Sequence, residues 1–550
     1  MIADPPADNS HPGTTPGSRP GRAVYLETFG CQMNVLDTQL VRGQLQGLGY
    51  RFVDDWKQAD VVLYNTCSVR ERAEQKVWSR VGEVGLWKKS DRPDVVLGVI
   101  GCMAERDGAD MVRRHPQIDL LCGPGELDKV PMLIDNAVKT ALPERGGVKA
   151  AGMALQGNTH RRSATLAAAE EDQLERIDLS RSFNPDDELA AGRSAYVRIT
   201  RGCNKFCTYC VVPFTRGREV HRPPNHIVDE CQRLVDAGVR EITLLGQTVN
   251  HYHFDTATAV TINGTVQPQV GTVIAPNTGT GGPSPRFNDT TTSFAQLLAR
   301  IHDEVPALQR LRFVTSFPRD FGNDILEVMR DRPRLCRYLH IPVQSGSNRL
   351  LKLMNRGYTV EEYDDLIARV RHYLPDAEIA TDIICGFPTE TEEDHQATAG
   401  LLRRGGFKNS FIFKYSARPG TVAMDRFDDD VPNDVKKRRN NELLAIQSEI
   451  STAVHQAYVG RTVRVFVESI SAKARKAGNG GMGGVELGWE QPEEVTQLTG
   501  RTDGDLIVCF EADPSLIGEI VEVRVERAAP LTLFGRRVGA RSAALRCAAK

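Results

Sequence analysis

The sequence has almost no excess of either charge: 69 Lys and Arg face 71 Asp and Glu, for a net charge of -2. That excludes the broad positive field of a general nucleic-acid binder, so any RNA contact must be local. Long apolar runs are also missing. No stretch approaches the roughly 20 consecutive apolar residues that a membrane span requires. Residues 1–21 are rich in Pro, Gly, Asp and Ser and lack the charged-then-apolar layout of a signal peptide. These absences predict a cytoplasmic protein with a disordered start and no membrane association. Internal repeats at solenoid or propeller periods are absent too, which excludes those architectures.

What is present is ordinary globular composition, 40% hydrophobic and 25% charged, on a chain of 550 residues. Such a length exceeds what one core serves and predicts two or three domains. Across 22–145, short apolar runs (Ala23–Phe29, Asp60–Asn65, Val95–Ile100, Ile118–Leu121) alternate with amphipathic stretches, the pattern of a small doubly wound parallel α/β domain. A polar, Ala-rich stretch at 146–187 reads as a linker with one helix. From 188 to 435, six strand-like runs alternate with helical patterns, as in a partial or complete β/α barrel. An insertion at 251–292, rich in Thr, Gly, Pro and Asn, interrupts this series. A loop of that length is either functional or disordered, and the disordered reading is favoured. A charged helix is expected over 436–457, and a small antiparallel β-barrel over 458–528. Residues 529–550 are read as a tail, frayed over Arg536–Lys550.

Twelve cysteines in a reducing compartment point to metal or redox chemistry rather than disulfides. Cys203, Cys207 and Cys210 form Cys-x-x-x-Cys-x-x-Cys just after the predicted strand Ala195–Thr200. Three thiolates on one tight loop can ligate three irons of a [4Fe–4S] cluster, and the spacing offers no fourth ligand, so one iron stays open. An open metal position is what a chelating substrate needs. A zinc knuckle would require a nearby fourth ligand. His221 and Cys231 are nearest, and neither stands in a paired ligand spacing.

Cys31, Cys67 and Cys102 look scattered, yet each follows the carboxyl end of a predicted parallel strand. In an open α/β sheet such ends converge on one crevice, which suggests a second cluster with an open iron. Three unrelated buried cysteines are the competing reading. Cys122 also ends a predicted strand, and spacing alone leaves it open as a fourth ligand.

The Cys203 motif, with Tyr209 just before its third cysteine, resembles the radical-SAM superfamily. The resemblance implies that the open iron binds the amino and carboxylate groups of S-adenosylmethionine (SAM), whose reduction yields a 5′-deoxyadenosyl radical. Tyr209 would face the adenine, or else serve as a packing aromatic. Gly246, Gln247 and Asp382 lie near predicted strand ends, at the mouth where barrel sites form, and are SAM-pocket candidates or turn residues.

The segments Thr28-Phe-Gly-Cys-Gln-Met-Asn34, Asn65-Thr-Cys-Ser-Val-Arg70 and Gly101-Cys-Met-Ala-Glu105 resemble the N-terminal motifs of the methylthiotransferase family. So do Cys210-Val-Val-Pro-Phe-Thr-Arg-Gly217, His340-Ile-Pro-Val-Gln-Ser-Gly-Ser347 and Thr381-Asp-Ile-Ile-Cys-Gly-Phe-Pro-Thr-Glu390. The resemblance spans about residues 22–528. That family uses three cysteines in its N-terminal domain, which leaves Cys122 structural. It implies two [4Fe–4S] clusters, one on Cys31, Cys67 and Cys102 and one with SAM on Cys203, Cys207 and Cys210. It further implies a C-terminal RNA-binding barrel of the TRAM type, OB-like, with Arg461, Arg464, Arg524 and Arg527 beside its strands.

The residues around Cys31, with Lys414-Tyr-Ser-Ala-Arg-Pro-Gly420, are similar to the branch acting on N6-isopentenyl adenosine beside the tRNA anticodon. The branches acting on threonylcarbamoyl-adenosine or on a ribosomal-protein aspartate are the nearest rivals. A non-catalytic iron–sulfur RNA sensor and a zinc-dependent RNA-binding protein are more distant ones. An aromatic C–H carbon offers no leaving group, so forming C–S there calls for a radical supplied by a cofactor. In keeping with that, no His or carboxylate stands out as a general acid or base, and no catalytic residue is expected beyond the cluster ligands. The implied partners of a monomeric chain are tRNA, an electron donor such as a flavodoxin or ferredoxin, and iron–sulfur or sulfur delivery proteins.

Overall fold

The computed structural model describes residues 21–69, 71–141, 151–156, 171–181, 193–271, 289–471 and 496–539. They form two compact units that divide after Gln156. The expected disordered start lies, except for Gly21, outside the described residues.

The first unit is a six-stranded parallel sheet. Its strands are β1 (Ala23–Phe29), β2 (Arg51–Phe52), β3 (Val61–Thr66), β4 (Val96–Gly101), β5 (Leu120–Cys122) and β6 (Gly152–Ala154), in the order β2-β1-β3-β4-β5-β6. Every residue of β3 and β4 is buried. That is why these segments read as unbroken apolar runs: helices cover both faces of a parallel sheet. The helices are α1 (Gln32–Gly47), α2 (Glu71–Ser90), α3 (Cys102–Arg114) and α4 (Val130–Ala141). The boundary expected at 145 is too early. Residues Gly152–Ala154 pair in parallel with Leu120–Cys122, a three-residue strand too short to leave a periodic signal.

The second unit begins, within the described residues, with a helix at Gln173–Ser180, the one expected in the linker. Asp172 caps it by accepting from the Glu175 N–H. Buried ion pairs hold it down: Arg222 Nε reaches Glu175 Oε2 at 2.8 Å, and Arg198 Nη2 reaches Asp178 Oδ2 at 2.7 Å. Six parallel strands follow as two three-stranded sheets. Ser194–Arg198, Glu241–Leu245 and Arg310–Phe313 form one, and Tyr338–His340, Glu378–Cys385 and Asn409–Lys414 the other. A single parallel bridge, Leu311 to Leu335, extends the first toward the second. The result is the partial β/α barrel. Its helices start where their caps dictate: Ser293 with Gln296, Thr359 with Glu362 and Thr391 with Asp394 each form a reciprocal capping box.

The insertion departs from the disordered reading wherever it is described. His253–Asp255 pairs with Thr291–Ser293, Gln269–Val270 pairs with Val220–His221, and a hairpin joins Thr261–Ile262 to Thr265–Val266. The hairpin turns on Asn263 and Gly264, both at positive φ, as a two-residue turn requires. Backbone pairing to the core orders these residues, and composition carries no trace of it. Residues 272–288 lie outside the described ones.

Helix Asn433–Gln456 leads to a closed five-stranded barrel: Thr462–Ile470, Thr496–Thr502, Ile507–Ala512, Thr532–Arg537 and Ile520–Ala529, in that order around it. The tail expected from 529 is corrected here. Thr532–Arg537 closes the barrel, antiparallel to Ile520–Ala529 and parallel to Ile507–Ala512, so the barrel is not wholly antiparallel. Leu533, fully buried among Val508, Val523 and Val525, supplies the apolar anchor. Within the same unit the barrel docks on the base of the partial β/α barrel. Arg310 donates to the carbonyls of Arg501 (2.9 Å) and Thr502 (2.8 Å), and Asp505 accepts from Lys408 at 2.7 Å.

Candidate metal centres

Strand order places the first cysteine triad. In a sheet ordered 2-1-3-4-5 the crevice opens where strand order reverses, outside the carboxyl ends of β1 and β3. Cys31 follows β1, Cys67 follows β3, and Cys102 opens α3 directly after β4. The structure brings all three together. A hydrogen bond with the Cys31 thiol, burial and the charges of Cys31 and Cys102 push the Cys67 thiol well up from its ordinary range. The Val69 N–H donates to Cys67 Sγ at 3.3 Å.

Asn34 and Asn65 tie the loops. Asn34 Nδ2 donates to Asn65 Oδ1 (2.9 Å) and to the Thr66 carbonyl (3.3 Å), while Asn65 Nδ2 donates to the Asn34 carbonyl (2.8 Å). The Cys31 thiol donates to Asn34 Oδ1 at 3.3 Å. Gly101 sits at φ 95°, and a Cβ there would fall 2.4 Å from Asn65 Oδ1, so only glycine lets β4 deliver Cys102 beside this clamp. Cys122 turns away: its thiol donates to the Glu126 carbonyl at 3.1 Å.

Cys203, Cys207 and Cys210 share one loop after Thr200–Arg201, at the carboxyl end of the parallel strands. Gly202 stands at φ 73° with the Arg218 carbonyl oxygen 1.9 Å from where a Cβ would lie, which pins the loop's entry. Burial pushes the Cys203 thiol well up, and Glu219, Cys207 and Cys210 push the same way. Cys203 and Cys207 are buried and Cys210 is partly exposed, and iron bound by the three sulfurs would displace their protons. Among the eleven described cysteines none is disulfide-bonded. Both triads thus offer three sulfur donors apiece, the set an iron–sulfur cluster with an open iron requires.

The remaining predicted residues line the same barrel end. Half-buried Tyr209 packs beside Leu350, Met354, Phe387 and Tyr415. Gly246 backs onto Thr200, whose Cγ2 lies 2.3 Å from a Cβ built there. Gln247 Oε1 is buried and accepts no hydrogen bond among the described residues. Asp382 Oδ1 is 2.9 Å from His340 Nε2.

Sequence reasoning missed Arg356, which is buried with Nη1 3.3 Å from Cys207 Sγ and 3.4 Å from the Tyr209 hydroxyl. It sits in no quoted motif and is more than a hundred residues from the cysteines, so no spacing signal existed. Asn34 and Asn65 were visible inside the quoted motifs but carried no ligand chemistry of their own.

On the C-terminal barrel, Arg461, Arg464, Arg524 and Arg527 are all exposed. Arg527 lies over the Phe534 ring at 3.9 Å.

Comparison with known proteins matches residues 23–123 to the model "Uncharacterized protein family UPF0004", 197–402 to the Radical SAM superfamily and 493–538 to the TRAM domain. The tRNA-2-methylthio-N(6)-dimethylallyladenosine synthase of Rhodopirellula baltica is 39% identical over 518 residues, covering 94% of this chain and 95% of the relative. That of Bacteroides thetaiotaomicron is 37% identical over 517 residues, covering 94% and 96%. Among solved structures, the radical S-adenosylmethionine methyltransferase TsrM from Kitasatospora setae, with cobalamin and a [4Fe–4S] cluster bound, aligns at a TM-score of 0.48. It is 17% identical and covers 74% of this chain and 77% of that one.

Proposed function

Because the chain belongs to the family of tRNA-2-methylthio-N6-dimethylallyladenosine synthases, we propose that it attaches a methylthio group to C2 of N6-isopentenyl adenosine beside the anticodon of tRNA. The observation that carries this reading is the pair of cysteine triads, each gathered at the carboxyl ends of its own parallel strands. Cys31, Cys67 and Cys102 hold one [4Fe–4S] cluster, and Cys203, Cys207 and Cys210 hold another that takes SAM. When bound, these groups supply the sulfur, the methyl group and the radical that side chains cannot.

The chain's own residues do the positioning. Asn34 and Asn65 fix the spacing of the loops that carry Cys31 and Cys67. Arg356 places a buried cation against Cys207 and Tyr209. Gln247, with an unsatisfied buried carbonyl oxygen, is the best-placed acceptor for SAM, joined at the barrel mouth by Gly246, Tyr209 and Asp382. The exposed arginines of the C-terminal barrel meet tRNA phosphates. Electrons come from a flavodoxin- or ferredoxin-type donor, and sulfur from an iron–sulfur or sulfur delivery protein. The protein acts in the cytoplasm as a monomer. No helix among the described residues is long and apolar enough to cross a membrane.

The test is anaerobic incubation of the reconstituted protein with SAM, reductant and isopentenyl-adenosine tRNA, followed by mass spectrometry of nucleosides and quantitation of 5′-deoxyadenosine. Wild type should give the 2-methylthio nucleoside. C203A should cleave no SAM, whereas C31A should still form 5′-deoxyadenosine yet make no 2-methylthio product. Each variant should lose about four irons per chain. SAM cleavage with unmodified tRNA in wild type would overturn the substrate, and thiomethylation by C31A would overturn the role of the first triad.

A further inference from the structure

Beside the second cysteine loop lie three buried histidines that the methylthio reading leaves unused. His221 ends the strand Val220–His221, His251 closes the 3-10 turn Val249–His251, and His253 begins the strand His253–Asp255 of the insertion. One ring nitrogen from each lies within 4.8 Å of the others. The ring centroids are 4.4 Å apart for His221 and His253 and 5.3 Å for His251 and His253.

Their hydrogen bonds sort the nitrogens. His251 Nδ1 is 2.7 Å from Glu219 Oε2, and Glu219 Oε1 accepts from the Thr248 hydroxyl at 2.7 Å, so that carboxylate is fully engaged. A carboxylate behind Nδ1 leaves the lone pair on Nε2, the arrangement found behind metal-bound histidines. His253 Nδ1 lies 2.9 Å from the His251 carbonyl, which again places the proton on Nδ1 and the lone pair on Nε2. His221 is the telling member. It is fully buried, and neither ring nitrogen has a hydrogen-bond partner among the described residues. A buried imidazole left so has lost its hydration with nothing in return. Its ring is pinned on one side by Gly271, where a Cβ would fall 2.6 Å from Nε2. Lys205, whose charge reaches His221 and His253, is paired with Asp320.

We propose that His221, His251 and His253 bind a divalent transition ion, zinc by the preference of imidazole donors, which fastens the insertion to the radical-SAM core. Zinc with three imidazole ligands at about 2.0–2.1 Å needs nitrogens about 3.4 Å apart. The three ring nitrogens, all within 4.8 Å of one another, approach that spacing. His221 belongs to the core, at the end of the strand Val220–His221, while His251 and His253 open the insertion, whose strand Gln269–Val270 pairs with the strand ending in His221. The site therefore acts as a staple where the insertion's backbone pairing to the core is only two residues a side. It is distinct from both cysteine triads and does not depend on the methylthio reading.

The test uses full-length protein with both clusters reconstituted, equilibrated anaerobically with zinc sulfate and dialysed. Wild type should retain about one zinc per chain, and X-ray absorption at the zinc edge should show nitrogen and oxygen neighbours without sulfur. H253Q and H221Q should each weaken retention at least about tenfold, and both should speed proteolytic cleavage within 251–292 in the presence of zinc. H253Q, on the insertion strand, should keep the iron content and zinc-free melting midpoint of wild type, which separates ligand loss from misfolding. Failure of wild type to retain zinc, sulfur neighbours in the spectrum, or equal retention by H253Q would overturn the proposal.

Discussion

Arg356 is buried with a guanidinium nitrogen 3.3 Å from the Cys207 sulfur. Its other donors go to the Tyr358 hydroxyl (2.9 Å) and the Pro342 carbonyl (2.8 Å), and its charged carbon lies 4.6 Å from the centre of the Phe317 ring. The residue is thus held rigidly as a cation beside a cluster-ligand candidate. A hydrogen-bond donor at a ligating sulfur raises the reduction potential of the cluster, because it stabilises the more negative reduced form. R356Q is expected to keep the iron content of wild type, to lower that cluster's potential, and to reduce SAM cleavage by about 10- to 100-fold. Redox titration followed by electron paramagnetic resonance gives the potential. An unchanged potential together with full iron content would refute the role.

How much of this was legible in the sequence depends on whether a residue acts through local spacing or through tertiary approach. Cys203, Cys207 and Cys210 share one loop, so their chemistry stood in the spacing. Cys31, Cys67 and Cys102 were legible because strands β3 and β4 are buried on both faces and so read as clean apolar runs with a cysteine just past each. Arg356 reaches Cys207 only through the barrel's closure, and nothing local to residue 356 signals it. Short strands were lost for a related reason: Gly152–Ala154 and Gln269–Val270 exist through pairing with a neighbour, not through any pattern of their own. The C-terminal strand Thr532–Arg537 was hidden by its arginines, which face outward while Leu533 alone fills the core.

Exposed arginines on the C-terminal barrel should read tRNA by charge alone. Arg464 and Arg524 stand on the paired strands Thr462–Ile470 and Ile520–Ala529, both exposed. Phosphate contacts release counterions, so tRNA affinity should fall steeply as salt rises from 50 to 200 mM, by about 10-fold or more. R464A and R524A should each lower the slope of log K against log salt by about 1. Fluorescence anisotropy with labelled tRNA measures it. Slopes identical to wild type in both variants would remove this face from the interface.

The docking of that barrel rests on Asp505, a largely buried carboxylate that accepts from Lys408 at 2.7 Å, from Arg501 at 3.2 Å and from Arg312. Burial pushes the Asp505 carboxyl up, but Arg312, Lys408 and Arg501 outweigh it and hold the group well below the usual carboxylate range. Its stabilising contribution is therefore complete at neutral pH and is lost only as pH falls below about 4. D505N at pH 7 removes the charged partner of two buried cations, Arg312 and Lys408, and should cost about 3–5 kcal/mol. Lys408 behaves in the opposite sense. Burial drives its ammonium down to about 8, only partly offset by Asp505. Between pH 8 and the unfolded lysine value of about 10.4 the unfolded chain then binds more protons than the folded one, so this group makes stability rise with pH across that window. K408M removes the titrating group, and its stability relative to wild type should fall steadily from pH 8 to 10. Urea unfolding of the cluster-loaded protein, followed by tryptophan-independent circular dichroism at several pH values, supplies the comparison. A constant difference between K408M and wild type over that range would show that Lys408 does not titrate there.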